Sequence, residues 1–330
     1  MKSRLFSANE TRVSEVGLGT WQLGGSEWGD VPEESAMQIL ESAADCGVTF
    51  IDTADIYGQG RSESLIGRFL KGRSDASRFF VATKLGRSPD PGWPQNFEAA
   101  TIRLHTEQSL RRLGVEALDL TQTHCIPAEV MQRDEVWSAL RELKTAGKIK
   151  AFGASVESVE EGLHCLQVEG LASLQIIFNV FRQKPIQQLI PQAMERGVAI
   201  IVRLPLASGL LAGKWTRDSR FGERDHRTFN ADGQAFNVGE TFAGLPFEKG
   251  LELVEQLRPI IPQGWPMSEW ALRWCLDFPQ VTTVIPGATR VEQVRSNARA
   301  SDLAPLPASV HEQLRQLYRE RVSPCIRGKY

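Results

Sequence analysis

The chain has 330 residues, with a hydrophobic fraction of 42% and a charged fraction of 24%, which supplies a sizeable core and excludes a disordered polymer. Lys plus Arg (38) nearly balance Asp plus Glu (40) for a formal charge of -2, so no basic footprint for nucleic acid or an anionic membrane exists and a small-molecule partner is expected. Five dispersed cysteines (Cys46, Cys125, Cys165, Cys275, Cys325) form no C-x-x-C pair. With no apolar leader and no membrane-length apolar run, they point to a reduced, cytoplasmic protein without disulfide framework or zinc site.

In chain order, residues 4–12 read as a hairpin turning at Ala8-Asn9-Glu10 and capping one end of a barrel. Residues 14–21 read as the first barrel strand, and apolar runs at 48–52, 79–84, 118–124, 150–155, 172–178, 198–204 and 281–286 as buried strands. Between them, helical spacing occupies 33–46, 63–71, 97–113, 133–146, 159–167, 186–196 and 290–300. Such alternation predicts parallel strands with right-handed crossovers: an α/β fold, a (β/α)8 TIM barrel, as a single domain over residues 1–330. After the seventh strand, 207–244 lacks periodicity and is expected to be a long surface loop, either a binding lid or a tolerated insertion. Helices at 247–257 and 268–276 precede the eighth strand, and one at 309–320 follows the last barrel helix.

Barrels of this kind place their chemistry at the C-terminal ends of strands. Three successive strands end on ionisable groups: Asp52, Lys84 and His124. Parallel neighbours bring Asp52 and Lys84 together, as a structural salt bridge or as part of a site. Tyr57 follows Asp52 by five residues, and a nearby Lys84 ammonium is expected to lower its phenol pKa. An acid tuned by lysine, a carboxylate orienting that lysine and an imidazole for a carbonyl oxygen suit proton delivery to a developing alkoxide. The matching hydride has to come from a nicotinamide cofactor, because no side chain provides one. Trp21, Trp28 and Trp93 lie on segments within reach of the mouth, so Trp21, Trp28, Tyr57 and His124 are expected to form the substrate pocket. The histidines show no metal-ligand spacing, and no metal is expected.

The stretch Phe50-Ile51-Asp52-Thr53-Ala54-Asp55-Ile56-Tyr57-Gly58, followed by Glu63 and Gly67, resembles the signature of the aldo-keto reductases, in particular their bacterial general stress branch. The resemblance extends to Gly17-Leu18-Gly19-Thr20-Trp21, Ala82-Thr83-Lys84 and Asp119-Leu120-Thr121-Gln122-Thr123-His124. It implies a catalytic tetrad of Asp52, Tyr57, Lys84 and His124. It further implies that Gly19, Thr20, Trp21 and Asp52 border the cofactor, and that Ser155 and Gln175 hold the nicotinamide amide, although Val156 stands where the family usually has Asn. Arg203 is expected to stack on the nicotinamide, followed by a pyrophosphate clasp of Leu204, Pro205, Leu206, Ser208, Gly209, Leu211 and Lys214. Ile285, Gly287, Thr289, Arg290, Gln293 and Asn297 resemble the adenosine-phosphate site, at a helix start offering backbone donors. Arg290 favours NADP(H) through a 2′-phosphate, while Gln293, where NADP-preferring relatives often carry arginine, leaves NAD(H) open.

Reduction of aldehydes and ketones, reversible through the same groups, is the activity so implied. Two rivals share the residues: a Schiff-base aldolase using Lys84, and a cofactor-sensing regulatory subunit with little turnover. Oligomeric state and the particular carbonyl substrate stay open.

Overall fold

The structure, a computed structural model, describes every residue except 7–10, 26, 27 and 29. Ser3–Phe6 (β1) and Thr11–Ser14 (β2) pair antiparallel, and the turn expected at Ala8-Asn9-Glu10 lies outside the described residues. The barrel strands are Leu18–Gly19 (β3), Phe50–Asp52 (β4), Phe80–Leu85 (β5), Leu120–His124 (β6), Phe152–Ser155 (β7), Leu171–Ile177 (β8), Ala199–Arg203 (β9) and Val281–Val284 (β10). They run parallel in sequence order. Bridges from Val16 to Val284 and from Gly19 to Gly287 join first strand to last, so the sheet curls into the expected (β/α)8 barrel. Every residue of β6 to β10 is buried, because helices cover the outer face and side chains fill the inner one. That double burial is why these strands read as continuous apolar runs.

The first strand is shorter than expected. Ser14 ends the hairpin rather than starting the barrel, and Trp21 opens a single helical turn, Trp21–Gly24. The stretch 186–196 also starts late: Pro185 sits in a 3-10 turn, Lys184–Ile186, and the α-helix is Leu189–Glu195. Phe247–Leu257 forms as read, whereas 309–320 is Ala308–Leu317 followed by a wider π-helical turn, Tyr318–Val322.

The two ends of the barrel are packed differently. At the N-terminal end Phe6 and Val13 of the hairpin join Phe50, Ala82, Leu120 and Ile285 in an apolar plug, with the Phe6 ring centroid 4.6 Å from that of Phe80. Each such aromatic contributes about 1.5–3 kcal/mol by leaving water.

The segment after β9 is a surface loop in part only: 214–224 is mostly exposed, but the rest is folded into short turns. It contains the 3-10 turns Ala207–Ala212, Val238–Glu240 and Phe242–Gly244 and the short helix His226–Phe229, and Asp225, His226, Asn230, Glu240, Thr241 and Phe242 are buried. Its polar groups are tied internally. Asn230 Oδ1 accepts from the amides of Ala235 (2.9 Å) and Phe236 (3.0 Å), and Ser208 Oγ donates to Glu240 O (2.9 Å) while accepting from Phe242 N (3.1 Å). Buried polar groups satisfied in this way need no periodic apolar pattern.

Candidate active site

Asp52, Lys84 and His124 are brought to one mouth by register. Asp52 is paired with Ala82, Lys84 with Gln122 and His124 with Ser155, and the strand period of two turns Lys84 to the same face as Ala82. Lys84 Nζ, 1% exposed, donates to Asp52 Oδ1 (2.5 Å), Thr53 O (2.9 Å) and Tyr57 OH (3.3 Å). Gln175 Nε2 donates to the other Asp52 oxygen at 2.7 Å. The Tyr57 loop is anchored by Asp55 N, which donates to Lys84 O (3.0 Å). Gly58, at φ +61, seats that loop on the Trp21 turn, where a Cβ would stand 1.7 Å from Gly24 O. The Tyr57 ring lies 5.9 Å from that of His124, nearly perpendicular, and 6.0 Å from that of Trp21, stacked.

Burial governs the charge states. It pushes the Tyr57 phenol above its ordinary value, and the Lys84 ammonium only partly opposes this. The expected net lowering is thus reversed: the half-buried Tyr57 lines the cavity, but the desolvation of its ring outweighs the ammonium, and Tyr57 keeps its proton. Lys84 is held above the usual lysine value; burial is the largest influence and opposes this, but the Asp52 carboxylate and Tyr57 outweigh it. Burial raises the Asp52 carboxyl as well, against Lys84 and Gln175. Because both its oxygens accept from N–H donors, the ion pair is the state supported by geometry. Burial, reinforced by Arg87, Lys84 and Arg203, drives His124 well below the usual imidazole range and leaves it neutral.

These groups face a cavity of about 490 Å³ running across the barrel mouth. Trp21, Trp28, Tyr57 and His124 line one end, and Gly19, Thr20, Asp52, Gln175 and Arg203 the adjoining wall. Leu204, Pro205, Leu206, Ser208, Gly209 and Lys214 also line it, as do Ile285, Gly287, Thr289, Arg290, Gln293 and Asn297. Two residues expected here are not among the lining. Ser155 is 1% exposed, turned toward Cys125 Sγ at 3.8 Å, and Leu211 is fully buried in the core. Trp93 is 49% exposed and packs on Phe97. Gln175 has its amide nitrogen committed to Asp52, so its carbonyl oxygen is what it can offer a ligand amide.

The residues present fit an elongated anionic dinucleotide. Leu204, Ala207, Ser208 and Gly209 all take positive φ (50, 48, 54 and 94°), a left-handed turn of the sort that points amides into an anion-binding concavity. Trp215 Nε1 and Arg203 Nε are buried donors without a partner among the described residues, and both residues line the cavity. At the start of the helix Val291–Arg299, however, Gln293 Oε1 already accepts from Thr289 N (2.8 Å) and Arg290 N (3.1 Å), so two backbone donors expected for phosphate are occupied.

Several lining residues escaped the sequence reading: Gln22, Trp215, Arg227 and Glu240. Arg227 lies over the rings of Trp28 (5.1 Å) and Trp215 (5.2 Å) and pairs with Asp225 at 2.6 Å. Beneath the mouth, Arg87 reaches both Glu157 and Glu240 at 3.2 Å. Arg87 stands just past the end of β5, so inspecting strand ends one turn further would have found it. Glu240 and Arg227 sit in the aperiodic segment, where no sequence signal places them. Cys125, Glu157 and Glu240 carry potential metal-ligand atoms within 4.8 Å of one another, but the arginines contact both carboxylates, and the cluster is an ion-pair lattice.

Residues 15–319 match the Aldo/keto reductase family. The chain belongs to that family. It is 31% identical to the aldo-keto reductase YhdN of Bacillus subtilis, over 86% of this chain and 84% of that protein. To the NADH-specific methylglyoxal reductase of Escherichia coli it is 29% identical, over 92% and 94%. Its structure is similar to that of the glycerol dehydrogenase AKR11B4 from Gluconobacter oxydans, with TM-score 0.79, 28% identity and coverage of 99% and 98%, and to that of the aldo-keto reductase AKR11C1 from Bacillus halodurans, with TM-score 0.78, 28% identity and coverage of 96% and 96%. This aldo-keto reductase is accordingly an NAD(P)H-dependent oxidoreductase of carbonyl compounds. No helix among the described residues is long and apolar enough to cross a membrane.

Proposed function

We propose that the protein reduces small aldehydes and ketones to alcohols, reversibly, with Tyr57 as proton donor. The observation that carries this reading is the buried Asp52–Lys84–Tyr57 chain, with contacts of 2.5 and 3.3 Å, beside a neutral His124 at one end of a dinucleotide-sized cavity. Bound nicotinamide supplies the hydride. The Tyr57 hydroxyl gives its proton to the carbonyl oxygen, the Lys84 ammonium stabilises the phenolate left behind, and Asp52 holds Lys84 in place. Neutral His124 orients the carbonyl oxygen, and Trp21 and Trp28 exclude water around it. In alcohol oxidation the same groups act in reverse.

Lys84 is a poor Schiff-base nucleophile, since its nitrogen has three acceptors and its pKa is raised rather than lowered. Arg290 in the lining favours NADPH, whereas the Glu292 carboxylate in the same lining and the donors capped by Gln293 favour NADH. NADPH is the expected preference, with weak discrimination. A cytoplasmic setting suits a chain whose five cysteines are all free.

Parallel fluorescence titration with NADPH and NADH, followed by turnover of an aldehyde panel, tests the proposal. Binding together with turnover that Tyr57→Phe removes supports it. Binding without turnover points to the cofactor-sensing role, and absence of binding refutes both.

A further inference from the structure

Glu240 is a carboxylate 5% exposed that lines the cavity, carried by the 3-10 turn Val238–Glu240 far from the strand ends. Around it stand Arg87 from the segment after β5 (3.2 Å), Arg203 from β9 (3.5 Å) and the Cys125 thiol after β6 (3.8 Å). Glu157, after β7, shares Arg87 with it, and Arg203 Nη2 lies 3.7 Å from Cys125 Sγ. His226 and Tyr57 complete the charged or titratable neighbours that act on it. Its backbone is pinned through Ser208, so this carboxylate is delivered to the arginines by the same segment that lines the cavity.

We infer that Glu240 is a positioning residue of this site: its buried carboxylate neutralises Arg203 and Arg87 and thereby decides how much positive charge faces the nicotinamide end of the cavity. The inference rests on the reading of that end proposed above. Two arginines against Glu157 and Glu240 leave the lattice balanced, and losing either carboxylate leaves a buried guanidinium uncompensated. Oxidised nicotinamide carries one positive charge more than reduced nicotinamide, so the balance bears directly on which redox form is retained. Glu240 Oε1 also meets the Arg203 guanidinium at 3.5 Å, which helps to hold that planar group in the cavity wall. The neighbouring thiol reports the same charge: burial and Glu240 raise its pKa, and the arginines lower it.

The test compares the parent protein with Glu240→Gln, which keeps shape and removes charge. The ratio of dissociation constants for NADP⁺ over NADPH, measured by fluorescence titration, is expected to rise about tenfold, the order expected of one charge acting from about 12 Å at an effective dielectric of about 20. Alkylation of Cys125 by iodoacetamide, followed by peptide mass spectrometry, is expected to accelerate while buried Cys165 and Cys275 stay slow. Arg87→Gln, which removes a positive charge from the same lattice, is expected to lower the ratio, and it decides the matter should Glu240→Gln fail to fold. A merely structural role weakens both redox forms alike, so an unchanged ratio overturns the inference. If the parent binds neither dinucleotide, the reductase reading fails, and the Cys125 rate alone then supports or overturns the charge balance.

Discussion

Two regions build the cavity, and they hold their side chains by different means. Asp52, Lys84 and His124 stand on consecutive parallel strands, so the ladder of backbone hydrogen bonds sets their spacing. Glu240 and Arg227 stand on a segment with no ladder, held by side chains such as Asn230, Asp225 and Ser208 and by Arg327, which reaches Gly244 O at 3.0 Å and Ala231 O at 3.0 Å. Geometry in the first region is therefore shared among many backbone bonds. In the second the backbone bonds are local turns, and a few polar side chains tie those turns to one another.

The largest effect that would test this contrast is chemical. Tyr57→Phe leaves the backbone ladder intact, so it is expected to cut turnover by roughly 10²–10⁴-fold while the dissociation constant for NADPH stays near the parent's. In the parent protein, Tyr57 keeps its proton and His124 stays neutral across neutral pH; reduction rates should show no step from either group between roughly pH 6.5 and 10. A His124-dependent step near neutrality in the pH profile refutes that assignment.

Next comes the buried pair. Lys84→Met strands the Asp52 carboxylate and is expected to destabilise the fold by about 3–5 kcal/mol in urea melts near neutral pH. The loss shrinks as the medium is acidified, because a stranded Asp52 can take up a proton. A uniform loss at all pH values would mean that packing, rather than charge, holds Lys84.

Asn230→Ala probes the other region. The amides of exposed Ala235 and half-buried Phe236 and the buried Thr241 hydroxyl lose their partner, and the last alone is expected to cost about 1–3 kcal/mol. Because the barrel strands are untouched, dinucleotide binding is expected to weaken more than global stability falls, as read by titration alongside thermal melts.

The smallest effect expected lies beneath the Tyr57 loop. Asp55 is 8% exposed, its carboxylate lies 3.5 Å from the buried His105 Nδ1, and burial together with Glu63 pushes its pKa up to about 7. In the unfolded chain the same carboxyl ionises near 4, so between those values the folded state holds a proton that the unfolded state has lost. Stability from this group is present at acid pH and is lost as pH rises through about 7. Asp55→Asn removes the dependence, and it is expected to raise stability at pH 8 by on the order of 1–3 kcal/mol relative to its effect at pH 5. Equal effects at both pH values would contradict the raised pKa.

The alternation of buried runs and amphipathic stretches already determined the barrel, and the placement of Asp52, Lys84 and His124 at strand ends already determined that they share a mouth. Both follow from local periodicity, since a strand repeats every two residues and a crossover returns the chain to the same end. Tertiary structure alone decided the rest. Ser155 faces Cys125 instead of the cavity, Gln293 caps the donors it was expected to leave free, and the desolvation of Tyr57 outweighs the lysine beside it. Glu240 meets two arginines lying 153 and 37 positions away along the chain. Contacts of that range carry no periodic signature, because they depend on how closed backbones approach and on how much water is left between them.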